Sequence, residues 1–205
     1  MSGIAEIYNA ELSPGKDDIA ARFGGVVTLL GGYRLVDPDG EVGIEVLVGS
    51  DIDGRSVQIP LTYRGAEIDA EHTLTTMEHS VLGKRWVSNA LGDPVAVAEF
   101  IRCILEGDNE AARSDGVPPV LSIRGSGSGT VEVGGVKLLE VTRQRAVGTV
   151  LIDGRRKSFQ LRLPHLLRQM ESTQTGHNTS RMNLIGWLPA MPEEQRVVGE
   201  LNWLD

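Results

Sequence analysis

The stretch from Glu41 to Tyr63 constrains the fold of this chain more than any other. Over residues 41–49, Val42, Ile44, Val46 and Val48 alternate with Glu41, Gly43, Glu45 and Leu47. Over residues 56–63, Val57, Ile59, Leu61 and Tyr63 alternate with Ser56, Gln58, Pro60 and Thr62. A period of two sends successive side chains to opposite faces of a strand. Asp53-Gly54 between the runs supplies the residues a tight hairpin turn requires. The segment therefore reads as an antiparallel hairpin with one apolar face. Pro60 has no amide to give to a ladder, which places its strand at an edge or beside a bulge.

The same turn signal recurs a hundred residues on. Ile152-Asp153-Gly154-Arg155 echoes Ile52-Asp53-Gly54-Arg55, and Phe159, Leu161 and Leu163 then alternate with Ser158, Gln160 and Arg162. Hairpins converge on Asp-Gly, so the echo supports two hairpins and not a repeat architecture. Further strands are expected at Val26–Val36, Val120–Arg124, Thr130–Val133, Val136–Val141, Val147–Ile152 and Val197–Trp203, with Asp37-Pro38-Asp39-Gly40 as a turn. Twenty-five glycines against 4% aromatic residues agree with a turn-rich, β-rich chain.

Two helices interrupt this pattern. Ser13-Pro14 suits an N-cap and first helical residue, Ile19, Ala20 and Phe23 share a face, and Gly24-Gly25 stops the run. Asp93-Pro94 repeats the start signal, and Gly107 is the expected C-cap. Between them Val97, Ile101, Ile104 and Leu105 form an apolar stripe that should pack on a sheet, with Glu99, Arg102 and Glu106 on a solvated face. Residues 67–92 are polar and show no clear period, and Gly107–Pro119 has a linker's composition. The expected fold class is α+β. Its parts are an α+β unit over residues 1–107, a linker over 108–119 and a β-rich, mostly antiparallel subdomain over 120–205.

Charge and cysteine content narrow the function classes. Twenty basic and 28 acidic residues among 205 give a net charge of −8, which disfavours a nucleic-acid partner. Cys103 is the only cysteine, so intrachain disulfides and thiolate metal clusters are excluded. No apolar run approaches the roughly 20 residues that cross a bilayer, and the first residues lack a leader pattern. A cytoplasmic protein with no membrane partner is expected. Asn178-Thr179-Ser180 fits a glycosylation acceptor, but the tripeptide carries no meaning in that compartment.

The motifs that resemble chemistry each lack a part. Glu71-His72 and Glu78-His79 combine carboxylate and imidazole, yet the two histidines stand seven apart, not four, so no metal is expected. Arg124-Gly125-Ser126-Gly127-Ser128-Gly129 imitates a phosphate loop and a nucleophile elbow in its letters. A strand pattern follows it where both motifs need a helix, so it reads as a mobile connection. Cys103 is expected in the core, as are Trp86, Trp187 and Trp203. The polar loop Glu171–Ser180 could close over a ligand or remain a solvated connection. No catalytic residue and no cofactor is expected from these patterns.

Three blocks together carry a resemblance. They are Tyr33-Arg34-Leu35-Val36-Asp37-Pro38-Asp39-Gly40-Glu41-Val42-Gly43-Ile44-Glu45, then Pro60-Leu61-Thr62-Tyr63-Arg64-Gly65-Ala66, then Glu78-His79-Ser80-Val81-Leu82-Gly83-Lys84-Arg85-Trp86-Val87 running to Gly92-Asp93-Pro94-Val95. In this order they resemble the N-terminal cap domain of actinobacterial maltokinases and short stand-alone proteins with a similar cap. The resemblance implies a curved antiparallel sheet with packed helices, cystatin-like in outline. It does not imply kinase activity, because ATP and sugar are handled by lobes after the cap and no catalytic-loop or magnesium-binding pattern occurs here. A glucan-branching activity would need a barrel with carboxylates at its strand ends, which 205 β-rich residues do not supply.

The expected function is a non-catalytic accessory, regulatory or interaction module linked to maltose, trehalose or α-glucan metabolism, with a protein partner, a small carbohydrate ligand or a second copy of itself. The alternative is a sugar- or sugar-phosphate-binding protein, or a small enzyme, with its cleft between the two halves. The functional surface is expected around Tyr63, Arg64, His79, Lys84, Arg85 and Trp86, which combine charge, aromatic faces and donors.

Overall fold

The computed structural model describes residues 3–170 and 181–204. In chain order the elements are β1 (Ile4–Ala5), β2 (Leu12–Ser13), α1 (Lys16–Gly24), β3 (Thr28–Val36), β4 (Gly43–Ser50), β5 (Ser56–Arg64), β6 (Thr73–His79) and β7 (Gly83–Asn89). A single 3-10 turn at Ala90–Gly92 leads into α2 (Pro94–Glu106). Then come β8 (Ala112–Arg113), β9 (Ser122–Gly125), β10 (Val133–Val141), β11 (Arg145–Ile152), β12 (Arg155–Arg162), β13 (Arg181–Leu188) and β14 (Met191–Trp203). The class is α+β, built from a curled antiparallel sheet, a second antiparallel sheet and two helices.

The first sheet has the order β2-β6-β7-β5-β4-β3, and the second β10-β11-β12-β14-β13-β9. Helix α2 lies between them. Asp93 caps it by accepting the Val95 N–H at 3.0 Å, and Gly107 ends it in the left-handed region at φ 67°. Ala96, Val97, Phe100, Ile101, Cys103 and Ile104 are all fully buried, so the apolar surface wraps around the helix and is not a stripe. They share one core cluster with Tyr33, Ile44 and Val46 of the first sheet and with Phe159, Leu161 and Leu201 of the second. A smaller core lies on the other face of the first sheet, where Ile19 and Ala20 of α1 pack against Leu47, Ile59, Leu61 and Val87.

The Glu99–Arg102–Glu106 side of α2 is not a solvated face. Glu99 is buried, and Arg102 donates to Glu99 at 2.9 Å, Glu106 at 2.7 Å and Asp108 at 2.9 Å. The helix has neighbours on this side too, and its carboxylates need a shared cation there.

Other details depart from the sequence reading for identifiable reasons. Helix α1 starts two residues later than Ser13-Pro14 suggests, because Ser13 pairs with Glu78 in β2–β6; Asp18 accepts the Gly15 N–H instead. Residues 73–89 form a hairpin that its polar composition conceals. Thr130–Val133 is not a separate strand, since the ladder begins at Val133, and β13 at 181–188 was not anticipated. Pro60 is interior, paired with Val46, and not at an edge. The Gln58 N–H points away from β4 to His165 O at 2.8 Å, so the missing donor at Pro60 faces the same side. There β5 changes partners: residues 165–167 flank its start, and β7 pairs only from Leu61 onward.

The glycine-rich segment after β9 is anchored and not a loose connection. Gly127 N–H donates to Ile104 O at 2.9 Å, and a Cβ at Gly127 would stand 1.9 Å from Leu105 O. The segment lies against the carbonyl end of α2, which only a glycine-rich backbone could approach so closely. The two Asp-Gly hairpins also differ in form. Ile152 pairs with Arg155 across a two-residue turn, while Ser50 pairs with Ser56 across five residues stapled by the Asp51 carboxylate.

Gln58 joins the two halves. Its side chain donates to Pro164 O at 2.9 Å and Val198 O at 2.7 Å, and accepts from Tyr33 Oη at 3.1 Å, all with the residue 1% exposed. Gln58→Leu leaves those three groups without this partner, at about 1–3 kcal/mol for each buried group that stays unsatisfied. The expected outcome is a loss of about 3 kcal/mol in urea unfolding, with an unchanged m-value. A loss below about 0.5 kcal/mol would show that Gln58 does not hold the sheets together.

Candidate functional site

Antiparallel register divides the six residues expected at a functional surface into two sets. Tyr63 is paired with Val87, Arg85 with Met77 and Gly83 with His79, so Tyr63, Arg85 and His79 share the α1 face of the first sheet. Arg64 is paired with Trp86 and Lys84 with Glu78, which puts Arg64, Trp86 and Lys84 on the opposite face. The six do not form one site.

On the α1 face, Tyr63, His79 and Arg85 line a groove of about 400 Å³. Its roof is the strap formed by residues 4–12, which crosses from β1, paired in parallel with β8, to β2 beside β6. Hydrogen bonds pin the strap at both ends: Ile7 N–H donates to Ser114 Oγ at 2.8 Å, and Glu11 N–H to Ser80 Oγ at 3.0 Å. Arg34 and Lys16 also line the groove. Beneath them Glu45 accepts from Lys16 Nζ at 2.8 Å, lies 2.9 Å from Arg34 Nη2 and accepts from Tyr63 Oη at 3.0 Å.

Glu45 is 3% exposed. Burial would push its carboxyl up, but Arg34, Lys16 and the hydrogen bonds from Lys16 and Tyr63 together hold it below the ordinary value. Burial lowers the pKa of Lys16, and raises that of the Tyr63 phenol well above its usual value. Burial and then the Arg85 guanidinium lower that of His79, whose Nδ1 accepts the Val81 and Leu82 N–H groups at 3.3 and 3.1 Å. Arg85 donates to Leu82 O at 2.5 Å.

The opposite face is organised differently. Arg64 makes a two-pronged contact with Asp93, at 2.7 and 2.9 Å, and Asp93 is fully buried. This pair ties β5 to the N-terminus of α2. Lys84 is exposed, with Nζ 4.7 Å from the centre of the Trp86 ring. Trp86, Trp187 and Trp203 are half-buried and not fully buried; Trp203 packs against the main core, and Lys157 Nζ stands 4.8 Å over its ring. The second face thus offers one exposed cation–aromatic pair and one internal ion pair.

A second cavity, of about 220 Å³, opens at the seam of the two sheets, lined by Gln58, Asn89, Arg143, Gln144 and His165 among others. Ligand pockets usually span roughly 300–1,000 Å³, which favours the strap groove by size. Glu78 and His79 do not face each other as a pair, since neighbours along a strand point to opposite sides. Among the described residues no three His, Cys, Asp or Glu side chains come together as a metal site. Cys103 is sealed in the core, where burial and then the Asp108 carboxylate push its thiol up to about 12, too high for a thiolate nucleophile at neutral pH. The glycine-rich segment lies at a helix C-terminus, the end whose partial negative charge repels phosphate. The loop Glu171–Ser180 and its Asn178-Thr179-Ser180 acceptor lie outside the described residues.

Lys16, Arg34 and Glu45 escaped the sequence reading. Glu45 occupies what looks like the wet face of a half-buried strand, yet six of the eight residues of β4 are buried because both faces of the sheet are covered. Counting outward from an Asp37–Gly40 turn would put Arg34 opposite Gly43; the connection in fact spans residues 37–42, and only that two-residue offset puts Arg34 directly opposite Glu45.

Removing Glu45 should reveal the network. Glu45→Gln leaves two cations sharing no carboxylate, and the expected cost is about 3 kcal/mol at pH 7. Because the folded carboxyl is held below the ordinary 4.5, its contribution is complete above that value and is lost as the pH falls through the lower folded value. The gap between the parent chain and Glu45→Gln in urea titrations should therefore narrow below about pH 4; a gap independent of pH would count against the charge. Arg64→Met strands the buried Asp93 carboxylate and should cost about 3 kcal/mol, whereas Lys84→Ala should cost less than about 1 kcal/mol. Equal losses in the two variants would remove the distinction between internal and exposed cations.

Comparison with curated proteins finds no match to this chain. A family model described as the maltokinase N-terminal cap domain matches residues 16–93. The matched segment starts at the first residue of α1, carries β3 to β7, and stops at Asp93, the cap of α2. The strap, α2 itself and the second sheet lie outside the match. Over residues 16–93, which are less than half of the chain, the protein is therefore similar to the maltokinase N-terminal cap domain.

Proposed function

We propose that this chain is a non-catalytic accessory or regulatory module connected with maltose, trehalose or α-glucan metabolism, acting by presenting a surface to a partner protein or small ligand. The observation that carries this reading is how the cap is joined to the rest of the 205 residues. Asp93, the last residue of the match, caps α2, and an antiparallel sheet shares that helix's core. Three groups capable of chemistry are committed to structure: Asp93 to Arg64 and the cap, Glu45 to Lys16, Arg34 and Tyr63, and Cys103 to the core.

Incubated with ATP–Mg and maltose, trehalose or glucose, the chain is expected to form no phosphorylated sugar. Added to a maltokinase reaction, it is expected to change the rate. Sugar phosphorylation by the chain alone would overturn the non-catalytic reading, and an unaltered maltokinase rate would count against an accessory role in that reaction.

The seam cavity supports a second reading, a sugar- or sugar-phosphate-binding protein, because Arg143, Gln144 and His165 place donors beside the apolar walls of Phe23 and Leu163. A dose-dependent rise in melting temperature with maltose, trehalose, glucose or their phosphates, abolished in Arg143→Ala, would put this reading first. A flat response across that series would remove it.

A further inference from the structure

Arg34 and Arg85 carry an unmet demand. The Nε of each is buried, and among the described residues no group accepts from it. Buried donors without partners are few in native proteins, and each needs an explanation. Both arginines point from the same face of the first sheet, and both line the groove under the strap.

The cations of the groove have few direct partners. Lys16 and Arg34 share one carboxylate, Glu45, and the hydrogen bond of Arg85 goes to a neutral carbonyl. Three cations thus line the groove, with the buried Glu45 carboxylate beneath two of them. Three acids, Glu6, Asp37 and Glu41, line the groove as well, so it carries both signs, and its claim on an anion rests on the unmet guanidinium donors and not on net charge. The Asp37 carboxylate is occupied by the N–H groups of Asp39, Glu41 and Val42, while Glu6 and Glu41 are exposed to water. Leu35, Val36, Met77 and Ile7 supply apolar wall. Gly43 leaves the floor open, for a Cβ there would meet nothing nearer than Tyr63 at 3.5 Å.

We propose that the groove binds a small organic oxyanion, a carboxylate or phosphate carried on an apolar or ring-shaped body. The anionic group takes the unsatisfied guanidinium donors after a small shift of the two side chains, and the body lies beneath the strap. The shift is needed because each Nε is closed off here and the neighbouring Nη2 is engaged by Glu45 or Leu82 O. This holds whether or not the chain acts as an accessory module, since it rests on the groove alone.

The test is titration calorimetry at low salt with phenyl phosphate, benzoate, inorganic phosphate and uncharged phenol as probes. Phenyl phosphate or benzoate should bind and phenol should not. Arg85→Gln should weaken binding by roughly tenfold or more. Gly43→Val, which fills the floor and leaves every charge in place, should weaken it as much, while Lys84→Gln on the opposite face should leave it unchanged. Circular dichroism and melting curves on each variant separate lost binding from lost fold. Inorganic phosphate binding as tightly as phenyl phosphate would overturn the organic part of the proposal. No binding of any oxyanion to the parent chain, or equal binding by folded Arg85→Gln and Gly43→Val, would overturn the site.

Discussion

Helix α2 carries apolar side chains around most of its circumference, and the rest of the chain is arranged to keep it from water. A helix of that kind cannot rest on one sheet with its back exposed. The first sheet covers it with Tyr33, Ile44 and Val46, and the second with Phe159, Leu161 and Leu201. The ends of the helix are as constrained as its sides. Asp93 accepts the Val95 amide at the N-terminus and is itself paired with Arg64, while Gly107 and the glycine-rich segment at 125–127 close on the C-terminal carbonyls. The cap family match ends where this helix begins, so α2 is the element through which a cap sheet and a second sheet acquire a common core.

Covering one face of the cap sheet with α2 leaves the other face to α1 and the strap. Helix α1 is short and buries only Ile19 and Ala20 deeply, so it covers the apolar half of that face, with Lys16 at its first position. Beyond it the same face turns polar, with Arg34, Glu45, Tyr63 and Arg85. The strap lies over these residues without filling the space. A charged groove is the consequence: side chains too polar to pack against α1 are roofed by a segment held at its ends by serine hydroxyls.

Much of the fold was legible along the chain. The hairpin at 43–64, the α2 caps at Asp93 and Gly107 and the turn at Asp153-Gly154 follow from local rules, because period-two alternation and turn chemistry act over a few residues. The β6–β7 hairpin was not legible, since Thr73, Thr75, Glu78 and Lys84 give no apolar period. Strand pairing there is held by backbone bonds and neighbours distant in sequence. Of the six residues expected at one surface, the structure brings Tyr63, His79 and Arg85 to the groove and sends Arg64, Lys84 and Trp86 to the other side. Neighbours along a strand alternate between faces, so closeness in sequence is a poor guide to closeness across a sheet.

By itself the sequence determined the α+β class, the ends of α2, the two Asp-Gly hairpins and the resemblance of the first half to a maltokinase cap. Each of these is written in side chains that act on their own backbone or on a neighbour a few residues away. Only the tertiary structure decided that Glu45 is buried among Lys16, Arg34 and Tyr63, that Gln58 joins the halves, and that the glycine-rich segment meets the carbonyl end of a helix. The physical reason is shared by all three. Burial and charge pairing depend on what covers a residue from elsewhere in the chain, and that cover is set by packing between elements, which no local pattern records.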